Sequence, residues 1–203
     1  MTKNSLKNGP DELGYYGEGE SAMGGMAVGE TLMPALHELN LAFEDAIKDK
    51  AFLDEFAYYC KHYIGRPSPL YYAENLSNKL GGAKILFKQE HLNHTGSHKI
   101  TNSLFQVLLA KRMGKKNLIC ESGAGQHYSA TAAVAAKFGI PLIGVMGEVD
   151  IKRVNQNIIK AKHYGAKLKA VPGTLKEAIT DAIKTWITNP DYYYVCGSAV
   201  SSF

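Results

Sequence analysis

The chain has 203 residues and a net charge of +4, with 45% of its residues apolar and 21% charged. This is the composition of a globular protein that can bury a core as one large or two small domains. Its 23 lysines and arginines are spread along the sequence, with one short cluster at 111–116, which argues against a nucleic-acid-binding protein.

Cysteine usage and the pattern of apolar residues predict an intracellular location. Cys60, Cys120 and Cys196 are odd in number and widely spaced and form no CxxC pair, which favours reduced thiols. Residues 1–20 lack the apolar run of a secretory signal, and no stretch approaches the length of a membrane span. We therefore expect a cytoplasmic protein that binds neither a membrane nor nucleic acid.

The first third of the sequence predicts an arm followed by two helices. Residues 1–30 are rich in glycine and polar groups, and we interpret them as a mobile or draped arm. Apolar residues between Asn40 and Tyr63 then recur at helical spacing with an interruption near Lys50, which predicts two consecutive helices. The segment GRPSPL at 65–70 predicts an extended turn, because a proline disfavours helical conformation in the residue before it.

From residue 83 onward, short β-rich runs alternate with helical segments. Strands are predicted at 83–88, 117–121, 141–146, 167–171 and 192–196, and helices at about 99–113, 127–138, 151–164 and 174–187. Gly114, Gly139 and Gly165 follow the first three of these helices, where glycine is the usual C-terminal cap. The alternation predicts an α/β fold, a parallel sheet with helices on both faces and ligands at the carboxyl ends of the strands.

The stretch HTGSHKITNS at 94–103 places Lys99 in the first turn of a predicted helix. A solvated lysine is one interpretation, but the helix dipole disfavours a cation at this end. The same repulsion favours the neutral amine that attacks an aldehyde, so a Schiff-base lysine is the second interpretation. His91, His94 and His98 form an HxxHxxxH array but lack the nearby cysteines or carboxylates of a metal site, so we predict no metal.

The stretch ESGAGQH at 121–127 follows a predicted strand and opens a helix. Gly123 and Gly125 allow backbone N–H groups to gather at the helix N-terminus, which suits a carboxylate or a phosphate. A tight turn that merely requires glycine explains the spacing at least as well. Glu121 ends the preceding strand, and a carboxylate beside a bound anion is unfavourable unless it transfers protons, so Glu121 is a candidate acid/base residue.

The two stretches together closely resemble the tryptophan synthase β-subunit family, pyridoxal-phosphate enzymes of the type II fold. The resemblance is carried by GSHK at 96–99 and ESGAGQH at 121–127, and it covers about residues 15–200. It continues upstream through ETLMPAL and GRPSPLYYAENLSNKLGGAKI, and downstream through MGEVDIKRVNQN, GAKL, TLKEA and GSA. It implies a type II fold that is incomplete at the C-terminus, because the family's C-terminal half, with its glycine-rich phosphate loop, is absent.

The resemblance implies a role for each matching residue. Lys99 matches the lysine that binds pyridoxal 5′-phosphate covalently, His98 the histidine beside the cofactor phosphate, and Glu121 the acid/base residue. The loop that binds the substrate carboxylate is matched by Ser122, Gly123, Ala124, Gly125, Gln126 and His127. The implied reaction condenses L-serine with indole to L-tryptophan and water. The implied partners are the α subunit and a second β chain in an α2β2 heterotetramer, and the family also takes a monovalent cation bound largely by backbone carbonyls.

The chain departs from the family pattern at several positions near these motifs. Gln89 and His91 replace a basic and an acidic residue, so we expect a cation and an anion to be lost near the turn before Lys99. Thr101 stands in place of an asparagine. Tyr128 stands in place of a glycine and is expected to crowd the mouth of the helix that follows the loop.

The resemblance also divides the chain into parts. These are an N-terminal arm at 1–30, part of an N-terminal domain with the cofactor lysine at 31–113, and a mobile α/β subdomain with the carboxylate loop at 114–198. Because the family's C-terminal half is absent, we expect weak or no catalysis from the isolated chain.

Two alternatives to a tryptophan synthase β chain remain open at this point. Another type II pyridoxal-phosphate lyase, such as a serine dehydratase or a cysteine synthase, would have a changed carboxylate loop and no equivalent of Glu121. A non-catalytic module that docks the α subunit through the helices at 151–164 and 174–187 would bind its partner without turnover.

Overall fold

The computed structural model describes residues 15–16, 23–25 and 28–197, so most of the arm predicted at 1–30 lies outside the described residues. The elements in chain order are β1 (Tyr15–Tyr16), β2 (Met23–Gly24), α1 (Met33–Lys48), α2 (Lys50–Tyr59), β3 (Leu70–Tyr72), α3 (Glu74–Leu80), β4 (Leu86–Lys88), α4 (Lys99–Arg112), β5 (Asn117–Glu121), α5 (Gln126–Phe138), β6 (Leu142–Gly147), α6 (Glu148–Ile151), α7 (Asn155–His163), β7 (Lys167–Val171), α8 (Leu175–Thr188) and β8 (Tyr192–Tyr194). The division of the chain at residues 30 and 113 remains a prediction.

Four strands form the parallel sheet that the sequence predicted. Their spatial order is β7, β6, β5, β8, and Leu118 of β5 pairs with Leu142 of β6 and with Tyr193 of β8. Helices α5, α7 and α8 lie between successive strands in the chain, as a parallel sheet requires of its crossover connections. The α/β fold class is therefore confirmed.

Both faces of the sheet are covered by helices. Leu118 and Cys120 of β5 belong to the larger buried cluster, which includes residues of α4, α5 and α7. Ile119, which points to the opposite face, belongs to a second cluster with Ala178 and Ala182 of α8. Because neighbouring residues of β5 are buried on opposite faces, the strand reads as a continuous apolar run. Across 15–16, 23–25 and 28–197, no helix has the length and apolar character needed to cross a membrane.

The two helices predicted between Asn40 and Tyr63 are confirmed as α1 and α2, with the break at Asp49. The Asp49 carboxylate caps α2 by accepting the backbone N–H of Ala51 at 2.8 Å. It also accepts from the Arg112 guanidinium at the end of α4, at 2.6 Å. This pair ties the helix that begins at Lys99 to the N-terminal helices.

The strand predicted at 83–88 does not join the parallel sheet, so that part of the prediction was wrong. Its observed part, β4, pairs antiparallel with β3 in a separate two-stranded ribbon, and all six residues of the ribbon are exposed. The alternation of apolar residues predicts a strand but does not show which other strand it pairs with. A pair of three-residue strands offers little buried surface from which a partner could be inferred.

The helix predicted at 151–164 begins later than expected: α6 ends at Ile151, and α7 begins at Asn155. Val154 lies between them with φ −132° and ψ 55°, outside the helical region. Arg153 donates a hydrogen bond back to the Asp150 carboxylate within this turn. Helices α4, α5 and α8 agree with the predicted bounds to within one residue at either end, whereas α3 was not predicted. Helix α8 begins with a capping box formed by Thr174 and Glu177.

Tyr128 does not crowd the mouth of α5, contrary to the expectation from the sequence. Its side chain is fully buried, and its ring lies against Gly144 in the middle of β6. A Cβ atom at Gly144 would come within 2.2 Å of the ring. The missing side chain at Gly144 thus makes room for the large one at Tyr128 on the sheet side of α5.

The buried hydroxyl of Tyr128 leads to a stability prediction. It has no hydrogen-bond partner among the described residues, and burial raises its pKa. We expect Tyr128→Phe to leave the free energy of unfolding unchanged or to raise it by up to about 1 kcal/mol, because an unsatisfied polar group is removed. The measurement is urea denaturation followed by circular dichroism.

Tyr63→Phe is the matched control for this prediction. The Tyr63 hydroxyl donates to the Ala133 carbonyl at 3.0 Å, so its removal should cost about 1 kcal/mol. Equal losses in the two variants would contradict the view that the Tyr128 hydroxyl is unsatisfied.

Candidate active site

The strand order of the parallel sheet reverses beside β5. The chain runs outward from β5 through β6 to β7, and α8 then returns it so that β8 pairs with the other side of β5. The crevice beyond the carboxyl ends of the strands at such a reversal is the usual ligand site of a parallel sheet. Glu121 ends β5 and Val195 follows β8, so both segments reach this crevice.

A cleft of about 170 Å³ lies at this reversal and brings together most of the predicted site residues. Its walls are formed by Lys99, Glu121, Ser122, Gly123, Ala124, Gln126, His127, Leu175 and Gly197. Gly125 belongs to the same loop without lining the cleft, and His98 is exposed at the N-terminal cap of α4, outside the lining. Leu175 and Gly197 are lining residues that the sequence did not identify.

Lys99 is the first residue of α4, as predicted, and its side chain is partly buried at the cleft. The chain reaches it through a sharp turn in which Thr95 has φ 70° and Gly96 has φ 88°. A left-handed conformation at a residue other than glycine costs about 1–2 kcal/mol. Backbone strain of this kind is concentrated at functional sites, where the surrounding structure holds it in place.

Glu121 is a buried carboxylate whose two oxygens have different surroundings. Its side chain is 2% exposed, and Oε1 accepts the backbone N–H of Gly197 at 2.9 Å. Oε2 is buried without a hydrogen-bond partner among the described residues. Burial and, next, the nearby Glu121 carboxylate raise the pKa of Tyr194, which keeps this phenol protonated. A hydrogen bond between this phenol and Glu121 contributes to the same shift, so Tyr194 is a neighbour of the carboxylate, and Oε2 is the oxygen less firmly held than Oε1.

The loop after Glu121 is fixed by α7. Gly125, the residue before α5, has φ 77°, and a Cβ atom there would lie 2.7 Å from the Cβ atom of Asn157. The Asn157 amide donates to the Ala124 carbonyl at 2.9 Å. The first N–H groups of α5 have no acceptor within the helix, and the positive end of the helix dipole favours an anion. Backbone groups beside Gln126 and His127 thus suit a carboxylate in the cleft.

His127 contributes an acceptor to the cleft rather than a positive charge. Its Nε2 lies 2.8 Å from the Val195 carbonyl oxygen, which can only accept, so Nε2 carries the proton. Burial lowers the pKa of this imidazole and keeps it neutral, and Nδ1 is left buried without a partner among the described residues. The neutral imidazole offers no charge to an anion, so an anion in the cleft would have to be held by backbone N–H groups.

A buried neutral histidine predicts a loss of stability in acid. Burial lowers the folded-state pKa of His127 below the ordinary 6.5. Below about pH 6.5, His127 therefore binds a proton more readily in the unfolded chain than in the folded chain. Its contribution is complete above about pH 6.5 and is lost as the pH falls below this value, at up to about 1.4 kcal/mol per pH unit. Urea unfolding at pH 7.5 and 5.5 should show a smaller loss for His127→Gln than for the wild type. An identical pH dependence of the unfolding free energy in both proteins would contradict this prediction.

The departures at positions 89, 91 and 101 lie outside the lining of the cleft. Gln89 is partly buried and its backbone N–H donates to the Pro69 carbonyl, whereas His91 is exposed. Glu90 between them accepts from Arg66 at 2.7 Å, so this segment retains an ion pair. Thr101 is partly buried in the first turn of α4, and its hydroxyl has no partner in the described part of the chain.

No group of three histidine, cysteine, aspartate or glutamate side chains is arranged to hold a metal ion within residues 15–16, 23–25 and 28–197. The titratable side chains that line the cleft are Lys99, Glu121 and His127. The chemistry that they can supply is that of a primary amine, a carboxylate and a neutral imidazole.

Curated proteins are similar in sequence to this chain over nearly its whole length. Residues 62–201 match the family model described as pyridoxal-phosphate dependent enzyme. The chain is 50% identical over 202 residues to the tryptophan synthase beta chain of Pseudomonas syringae pv. tomato and 49% identical over 202 residues to that of Pseudomonas syringae pv. syringae. Each comparison covers 98% of this chain and 48% of the relative, so the chain spans about half the length of these curated relatives.

Proposed function

Because the chain belongs to the family of pyridoxal-phosphate-dependent enzymes, we propose that it forms the lysine side of a tryptophan synthase β active site. The proposed reaction condenses L-serine with indole to give L-tryptophan and water. The observation that carries this proposal is the single cleft shared by Lys99, Glu121 and the loop that begins at Ser122. The identity of about half of all residues to two tryptophan synthase beta chains supports it.

The cleft has features that fit pyridoxal phosphate and an amino-acid substrate. Lys99 provides the primary amine that an aldehyde requires. Glu121 Oε2, Gln126 Oε1 and His127 Nδ1 are buried acceptors without partners among the described residues. Unpaired buried acceptors favour a ligand that brings N–H or O–H groups.

When bound, pyridoxal phosphate supplies the electron sink that stabilises negative charge at the α-carbon of the amino acid. Lys99 would hold the cofactor covalently and, once displaced by serine, would use its amine to remove the α-proton. Lys99 lies at the start of α4 and is the only lysine among the described residues that line the cleft. One residue thus performs both binding and proton transfer.

Glu121 would serve the second half of the reaction. Its Oε2 would give a proton to the departing β-hydroxyl of serine, which leaves as water, and would later accept the proton that indole loses. Oε1 is already engaged by the Gly197 N–H, so the proton is assigned to Oε2. The N-terminus of α5 would hold the serine carboxylate through backbone N–H groups.

A hybrid protein tests this proposal directly. In the hybrid, this chain replaces the corresponding half of the Pseudomonas syringae pv. tomato tryptophan synthase beta chain. We expect the hybrid to form tryptophan from serine and indole, and Glu121→Gln to lower the rate by about 100-fold or more, because general acid–base catalysis contributes about 10²–10⁴-fold. Deamination of serine without tryptophan formation would contradict the proposal and favour another lyase. The isolated chain is expected to show weak or no turnover.

We also propose cytoplasmic action together with an α subunit and a second copy of this chain. The supporting observation is that both relatives are named as the beta chain of tryptophan synthase. Size-exclusion chromatography of the chain with a purified α subunit tests this assembly, and elution of the two proteins as separate species would contradict it.

A further inference from the structure

We propose that Gln106 is a positioning residue for Glu121 and that it acts through the backbone of residues 195–197, called here the strap. This inference rests on the proposed function, because it concerns the residue assigned to acid–base catalysis there. Gln106 does not line the cleft; it lines a neighbouring apolar cavity of about 310 Å³. Its influence on the reaction must therefore pass through other groups.

Gln106 forms hydrogen bonds with both backbone groups of Cys196, the middle residue of the strap. Its Oε1 accepts the N–H of Cys196 at 2.9 Å, and its Nε2 donates to the carbonyl of Cys196 at 2.9 Å. Asn102 donates to the same carbonyl at 3.1 Å and accepts from Gln106 Nε2 at 2.8 Å. Because Gln106 donates to the Asn102 side-chain oxygen, its amide group has one orientation, with Nε2 toward Asn102. In that orientation, Gln106 accepts from the N–H of Cys196 and donates to its carbonyl.

The residues on either side of Cys196 form hydrogen bonds with two side chains that line the cleft, His127 and Glu121. The Val195 carbonyl accepts from His127 at 2.8 Å, and the Gly197 N–H donates to Glu121 Oε1 at 2.9 Å. The Val195 N–H donates to the Ile119 carbonyl at 2.8 Å, which continues the pairing of β8 with β5. The strap therefore joins α4, α5 and β5 through hydrogen bonds made by three consecutive residues.

The Gly197 N–H distinguishes the two oxygens of Glu121, because it donates to Oε1 and not to Oε2. With Oε1 held by this donor, Oε2 is left for exchange. A Cβ atom at Gly197 would lie 2.6 Å from Oε1, so the close approach of backbone and carboxylate depends on glycine. A backbone N–H keeps its direction only if the peptide units around it are fixed, and Gln106 supplies that fixation at Cys196.

The same helix carries Lys99 and Gln106. Both lie on α4, seven residues apart, which is about two helical turns. A rigid helix thus sets the position of the proposed nucleophilic amine and, through the strap, the position of the carboxylate across the cleft.

The test uses amide NMR spectroscopy and hydrogen exchange of the 203-residue chain without cofactor. Glu121→Gln first defines the shift of the Gly197 amide proton that is caused by its bond to a carboxylate. We expect Gln106→Ala to move the Gly197 amide resonance toward its position in Glu121→Gln. Exchange at Cys196 and Gly197 should become at least tenfold faster, while exchange at Ile119 in the centre of β5 stays unchanged.

Two further variants keep the test decisive. Gln156→Ala, at an exposed glutamine of α7, is the matched control and should leave the Gly197 resonance in place. Gln106→Glu retains an acceptor for the Cys196 N–H but loses the donor to its carbonyl, so it should protect Cys196 better than Gln106→Ala does. It also serves if the alanine variant does not fold. An unchanged Gly197 resonance in both Gln106 variants would overturn the proposal.

Failure of this proposal and failure of the proposed function give different results. Covalent labelling of Lys99 by pyridoxal phosphate and borohydride does not require Glu121. Normal labelling with an unchanged Gly197 resonance in the Gln106 variants would remove only the positioning role. Absent labelling in the wild type would remove the proposed function and leave the NMR result to stand as a structural link.

Discussion

Lys99→Ala is expected to abolish the covalent attachment of pyridoxal phosphate to this chain. Lys99 is the only lysine among the cleft-lining residues of the described chain, and the linkage requires a primary amine. Reduction with tritiated borohydride makes the linkage permanent, and the incorporated tritium gives the number of linkages per chain. Incorporation should fall from about one label per wild-type chain to background in Lys99→Ala.

Two controls separate loss of the amine from loss of the fold. Lys99→Arg keeps a long basic side chain at the start of α4 and should also remain unlabelled, because a guanidinium does not form the linkage. Lys116→Ala removes an exposed lysine just before β5 and should be labelled like the wild type. Labelling of Lys99→Ala at the wild-type level would refute the assignment of the cofactor lysine.

Gly144→Ala is expected to destabilise the fold by about 3 kcal/mol, at the upper end of the usual cost of overpacking. The new methyl group would lie within 2.2 Å of the Tyr128 ring, and both residues are buried between α5 and β6. Neither the strand nor the helix can move away without disturbing the sheet. The measurement is the free energy of unfolding from urea denaturation.

A double-mutant cycle tests the cause of this loss. In a Tyr128→Ala background the ring is absent, so adding Gly144→Ala should cost little further stability and should fill part of the cavity. The expected coupling energy between the two positions is about 3 kcal/mol. Additive losses in the double variant would show that Tyr128 does not occupy the space beside Gly144.

Much of the fold follows from local patterns in the sequence. Regular alternation of strands and helices predicted the parallel sheet, and Gly114, Gly139 and Gly165 marked the helix ends with positive φ angles of 72°, 67° and 83°. The antiparallel pairing of β3 with β4 was not predictable, because it depends on contacts distant in sequence. The direction of Tyr128 had one usable signal: Gly144, an isolated glycine within a strand, indicates a close approach.

The sequence pointed to the side chains of the candidate site but not to the backbone groups that contact them. Their places at a helix start and a strand end made Lys99, Glu121 and the loop between Ser122 and His127 candidates, and the resemblance to the tryptophan synthase β-subunit family supplied their expected roles. The strap that holds Glu121 leaves almost no trace in the sequence, because its bonds come from main-chain groups. Gly197, three residues after β8, was the one feature of the sequence that hinted at the strap.

The measurement that tests the central claim most directly is peptide mapping of the wild-type chain after trapping with pyridoxal phosphate and borohydride. We predict that the label is confined to the peptide containing Lys99, because this residue lines the cleft together with Glu121 and the loop proposed to bind the substrate carboxylate. Label spread over exposed lysines in proportion to their accessibility, or no stable label, would contradict the claim that these residues form a pyridoxal-phosphate site.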